Sequence, residues 1–281
     1  MEGDRAMARW TIDDPTKMDF DGAVALKANI VAGTVSILPT DDTPSLHVSE
    51  ISGHPLEVVH EAGMLSINQK RSGLEGVLQW LQKTSGRAAI TIRVPKGCPV
   101  TLNLVTANAV ITGLSGRVSV KTASGDVSLD GVTGPIDANT ATGAIEAQGV
   151  GGSVSFNSVS GDLALARGVI ERLNAHSVSG KITTDVDLSG GASVQVKTVS
   201  GEVTMRLAAS TSAEVSLTSV AGRIDSAFPE LRRDQRAVPK SVAGTLGDGD
   251  ASLNVNSVSG AITLLSRPDP EALKREGEQD L

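Results

Sequence analysis

Six glycines recur every nine residues, at Gly116, Gly125, Gly134, Gly143, Gly152 and Gly161. Each opens a short phrase of alternating character, such as Gly-Arg-Val-Ser-Val or Gly-Asp-Val-Ser-Leu. A fixed period of this kind belongs to stacked repeats, in which neighbouring units complete one another's core. It constrains the architecture far more than the chemistry.

Every second corner carries a stronger consensus, small-Val-Ser-Gly. It ends at Gly125, Gly143, Gly161, Gly180, Gly201, Gly222 and Gly260. The residue after each of these glycines is mixed and often charged: Asp126, Ala144, Asp162, Lys181, Glu202, Arg223 and Ala261. The next is always apolar: Val127, Ile145, Leu163, Ile182, Val203, Ile224 and Ile262. That alternation predicts strands with one wet and one buried face. The corner glycine is expected at positive φ, where a Cβ would clash, and the preceding Ser or Thr is expected to brace the bend. The fold class is all-β: a β-solenoid or β-helix-like stack of coils of about 18 residues. The nine-residue beat favours two main strands per coil, although a three-faced coil fits 18 arithmetically as well.

The expected organisation is a flexible segment at 1–9, an N-terminal β cap at 10–100, solenoid repeats at 101–267 and a charged tail at 268–281. Ala166–Arg172 and Leu207–Ala213 are expected as lengthened corners, and 228–240 as a protruding polar loop. Gly73–Lys83 breaks the beat, with Leu74, Val77, Leu78 and Leu81 at helical spacing and Trp80 beside them. Plugging the end of the stack is its structural reading. A contact patch of Leu78, Trp80 and Leu81 is its functional one.

Composition excludes several function classes. With a net charge of −7 and aromatic content of 2%, the chain has neither the basic footprint nor the stacking platforms of a nucleic-acid binder. The same shortage of Trp and Tyr argues against a typical sugar cleft. The single cysteine, Cys98, cannot form an internal disulfide and has no His-containing motif beside it, so it reads as a buried or loop thiol. The N-terminus lacks a signal-like apolar run, and no stretch approaches the ~20 apolar residues of a spanning helix. The expectation is a cytoplasmic protein, with membrane contact limited to its periphery.

The candidate chemistry is sparse. Gly247-Asp-Gly-Asp-Ala-Ser-Leu253 resembles a calcium-binding nonapeptide once only, so a turn is preferred. Asp126, Asp162 and Glu202 recur at one corner position, but Ala144, Lys181, Arg223 and Ala261 share it. A solubilising strand position explains that mixture better than an acid/base site. His47, His54, His60 and His176 lack metal-site spacing. No catalytic residue, cofactor or metal ligand is expected.

The Val-Ser-Gly-acidic-[Val/Ile] repeats resemble a bacterial β-strand-repeat family that carries an adhesin label, a domain of unknown function, in its actinobacterial form. Ile92-Arg-Val-Pro-Lys-Gly97, Ala243-Gly-Thr-Leu-Gly-Asp-Gly249, Trp10-Thr-Ile12 and Val31-Ala-Gly-Thr-Val35 extend the likeness over residues 10 to 267. The resemblance implies a β-solenoid and a link to membrane or envelope-stress systems, and it implies no catalytic residues. The expected function is a non-catalytic intracellular scaffold or protein-interaction module with a protein partner and no nucleic acid. The alternatives are a polysaccharide-binding or polysaccharide-acting β-helix, and a self-associating bactofilin-like filament or surface adhesin.

Overall fold

The computed structural model describes residues 8–69, 86–234 and 239–268, and every regular element among them is a β-strand. The chain divides into two compact units, Met1–Ala144 and Ile145–Leu281.

The first unit contains β1 (Ala8–Ile12), β2 (Thr16–Asp19), β3 (Ala25–Ile30), β4 (Gly33–Pro39), β5 (Ser45–Ile51), β6 (Leu56–Glu61) and β7 (Met64–Gln69). After these come β8 (Ala88–Val94), β9 (Val100–Leu104), β10 (Asn108–Thr112), β11 (Val118–Thr122), β12 (Val127–Asp130) and β13 (Ile136–Thr140). Val118 pairs in parallel with Val100 on one side and Ile136 on the other, so partners lie 18 residues apart. Two strands occupy each such interval. One parallel ladder runs β7–β3–β9–β11–β13 and the other β8–β4–β10–β12. β6 and β1 continue beyond β7, and β5 and β2 beyond β8, all antiparallel. Inward positions such as Val118, Val120, Leu102 and Ile111 are fully buried, and the core is aliphatic. Trp10 packs edge-on against Phe20, which also meets His60.

The second unit contains β14 (Ile145–Gln148), β15 (Gly151–Ser158), β16 (Leu163–Ser177), β17 (Ile182–Thr198), β18 (Val203–Ala208), β19 (Ala213–Ser219) and β20 (Ile224–Ser226). It ends with β21 (Arg232–Asp234), β22 (Lys240–Leu246), β23 (Ala251–Ser257) and β24 (Ile262–Arg267). Where lengthened corners were expected near Ala166–Arg172, β16 instead runs on as one strand, and register shifts at Ala166/Val169 and Ile170/Arg172 absorb the extra residues. The last repeat does not follow its predecessor in space. β23 lies between β17 and β19, and β24 between β18 and β20. β22 and then β21 cover β19 antiparallel. In the first unit β3 and β4 are interleaved in the same way, between β7/β8 and β9/β10.

The reason for the corner glycines differs from the expectation. None of Gly125, Gly143, Gly180, Gly201, Gly222 or Gly260 has positive φ. Instead, a Cβ on Gly143 would lie 2.1 Å from the Gly125 carbonyl oxygen, and one on Gly260 would lie 1.9 Å from that of Gly201. The rungs approach too closely at the corner for any side chain. Positive φ occurs at the looser corners, for example +63° at Gly113.

Candidate interaction surface

The corner hydroxyls hold these bends. Thr122 Oγ1 donates to the Gly125 carbonyl and accepts from its N–H, both at 3.0 Å. Thr140, Ser158, Ser177 and Ser257 donate to the carbonyl three residues on. Three hydroxyls that stand just before a corner glycine reach another rung: Ser179 Oγ donates to Val159 O, Ser200 Oγ to Val178 O and Ser259 Oγ to Val199 O, each at 3.2 Å. The recurrent acids also serve the backbone. Asp126 Oδ1 accepts the Ala144 N–H at 2.9 Å, and Asp162 Oδ1 accepts the Lys181 N–H at 2.7 Å. These carboxylates bond the stack together as well as solvating it.

At five corners of the second unit the residue after the first hydroxyl is a valine with no such task. Val159, Val178, Val199, Val258 and Val220 are 47–57% exposed. Backbone hydrogen bonds place them on successive rungs in that order, from Val178 N to Ser158 O through Val220 N to Ser257 O. At the spacing of paired strands, the row is roughly 19 Å long. It is a continuous apolar ridge along one corner of the second unit.

One flank of the ridge is the serine column Ser160, Ser179, Ser200 and Ser259. The other is the register column Asn157, His176, Lys197, Asn256 and Thr218. A shallow cleft of about 320 Å³ separates ridge from register column, lined by Asn157, Ser158, His176, Ser177, Val178, Lys197, Thr198 and Val199. Neither flank contains a carboxylate, although the chain carries a net charge of −7. Neither His176 nor Lys197 has a side-chain partner among the described residues. The surface can make apolar, hydroxyl, amide and cationic contacts.

A second cleft, of about 400 Å³, lies among Arg223, Ile224, Arg233, Asp234, Lys240, Ser241 and Val242. Its cations are already engaged. Arg223 and Arg233 pair with Asp225, and Lys240 Nζ donates to the Ala221 and Gly222 carbonyls at 3.3 Å.

The residues singled out in the sequence are scattered. Leu78, Trp80 and Leu81 lie outside the described residues. Cys98 is buried, and burial pushes its thiol up to about 11. Among the described residues, no group of three or more His, Cys, Asp or Glu could hold a metal ion. Gly247–Asp250 forms a turn that leads into β23, with Ser212 Oγ accepting the Asp248 and Asp250 N–H groups at 3.0 and 3.1 Å. The valine ridge is absent from the sequence reading. Its signal was the valine's place out of phase with the buried hydroxyl before it.

Parallel strands stacked on glycine corners define an all-β repeat protein. The chain belongs to the toastrack family DUF4097, which matches residues 29–265. No curated protein matches it. Among solved structures it is similar to a "putative cell adhesion protein" from Clostridium sporogenes, with 14% identity and a TM-score of 0.25. That match covers 94% of this chain and 100% of the other. It is also similar to a "putative lipid binding protein" from Parabacteroides distasonis, with 16% identity, a TM-score of 0.39 and coverage of 94% and 98%. At these scores neither likeness carries an argument about this chain.

Proposed function

We propose that the chain is a non-catalytic scaffold, a β-solenoid of coils of about 18 residues with two main strands each, and that it engages a protein partner through the valine ridge. The observation that carries this reading is five stacked, half-exposed valines at one corner. Corner geometry does not demand valine, because Ala123 and Ala141 hold the equivalent position in the first unit. Scattered exposed apolar residues need no explanation, but a contiguous row is what contact surfaces use. The test is a photo-crosslinking side chain introduced at Val199 in the native cell, with Thr204 as control on the other ladder. A specific protein adduct from position 199 alone is expected. No adduct, or the same adducts from both positions, would overturn the reading.

A further inference from the structure

We propose that the ridge's partner is a second copy of this chain, packed side against side with valine row on valine row. This rests on the ridge being a contact surface, and four observations carry it further.

The first is period. The valines repeat at the strand spacing of about 4.8 Å, because each occupies one rung of a parallel ladder. Only another β stack repeats at that distance, so only its knobs stay in step over all five rungs. Identical rows interdigitate for the same reason in dry β interfaces. A helix advances by about 5.4 Å per turn and falls out of step within a few rungs.

The second is charge. Two chains of net charge −7 repel each other. The ridge and both its flanking columns lack carboxylates, and the next column beyond the serines mixes Asp162 and Glu202 with Lys181 and Arg223, so two copies can meet there without setting one block of acids against another. His176 and Lys197 can then reach the hydroxyls of a facing serine column.

The third is anatomy and area. A valine row between columns of hydroxyls and amides reproduces the apolar core and polar rim of a protein interface. Half-exposed valines in this number offer roughly 400 Å² of apolar surface, against about 800 Å² per partner in a standard stable complex. The rim must supply the rest, so the dimer is weak, with a Kd on the order of 100 μM.

The fourth is the end of the second unit. β19 is covered by β22, and the edge beyond it is the three-residue β21, whose Arg232, Arg233 and Asp234 are all exposed. A short, charged edge discourages strand addition. Association is directed to the flank of the stack and away from that end.

The test is sedimentation equilibrium of the full chain, from about 1 μM to about 1 mM, at low and high salt. A reversible monomer–dimer equilibrium is expected. Salt should tighten it by screening the repulsion between the two acidic chains, whereas a contact held by charge complementarity would weaken. The variant V178T/V199T/V258T, which keeps β-branched shape and removes methyl groups, should raise the dissociation constant at least tenfold. Thr204→Ser should not change it. A monomer at all concentrations, or a dimer indifferent to the valine changes, overturns self-pairing. If the chain stays monomeric yet position 199 still crosslinks to a different protein, self-pairing fails and the scaffold reading stands. If both signals are absent, both fail.

Discussion

A methyl group on Gly201 would lie 2.1 Å from the Gly180 carbonyl oxygen, whereas one on Gly97 would meet nothing within 4 Å. Gly201→Ala must push two rungs apart and is expected to cost about 3 kcal/mol or more. Gly97→Ala should fall within about 1 kcal/mol of the parent. Urea unfolding of the two variants measures the difference directly. The beat of glycines was legible in the sequence, but its cause was not, since a torsional need and a close backbone approach both select glycine. Cys98 offers a second residue-scale test. Its thiol ionises near 11 when folded and near 9.0 by its ordinary value, so the folded state holds the proton more tightly. Stability is therefore expected to fall as pH rises from about 9 to about 11, and Cys98→Ala should remove that part of the slope. At pH 8 a thiol reagent should label the chain only under denaturing conditions.

Neither β23 nor β24 extends the stack; both fill a gap between strands that precede them in sequence. A chain cut after Leu246 leaves β17 and β18 without the partners that join them to β19 and β20. Such a chain should lose the cooperative unfolding transition of the second unit, which far-UV circular dichroism against urea would show. The seven buried Val, Ile or Leu copies, from Val127 to Ile262, were readable because alternation marks a buried face. Their spatial order was not, because a period says how rungs repeat and not which rungs adjoin. The 38-residue interval between Gly222 and Gly260 was visible, with a protruding loop expected at 228–240; the structure makes it the excursion that brings the last rung back inside. That rung is tied down by Arg267, which pairs with Asp185 at 2.9 Å and also with Asp187, while Arg206 pairs with Asp185. The Arg206 hydrogen bond holds the Asp185 carboxyl below its usual range, against the opposing effect of partial burial. Its contribution is present above the ordinary carboxylate pKa and lost as pH falls through the lowered one. Asp185→Asn should cost at most about 1 kcal/mol at pH 7, and the deficit should vanish in acid.

On the scale of the whole chain, a net charge of −7 opposes association, and the valine ridge and its two flanking columns carry no carboxylate. The rule that apolar residues go inside hides such a ridge from a sequence reading. Val178 looks like Val127 until its phase is counted from the buried Ser177. The central claim is that these valines serve contact and not folding. Urea unfolding of V178T/V199T/V258T, compared with the parent below about 1 μM where association is negligible, tests it most directly. The expected result is an unchanged slope and a stability within about 1 kcal/mol of the parent, as for exposed positions. A loss of several kcal/mol, the size expected when hydroxyls are forced into a core, would contradict it.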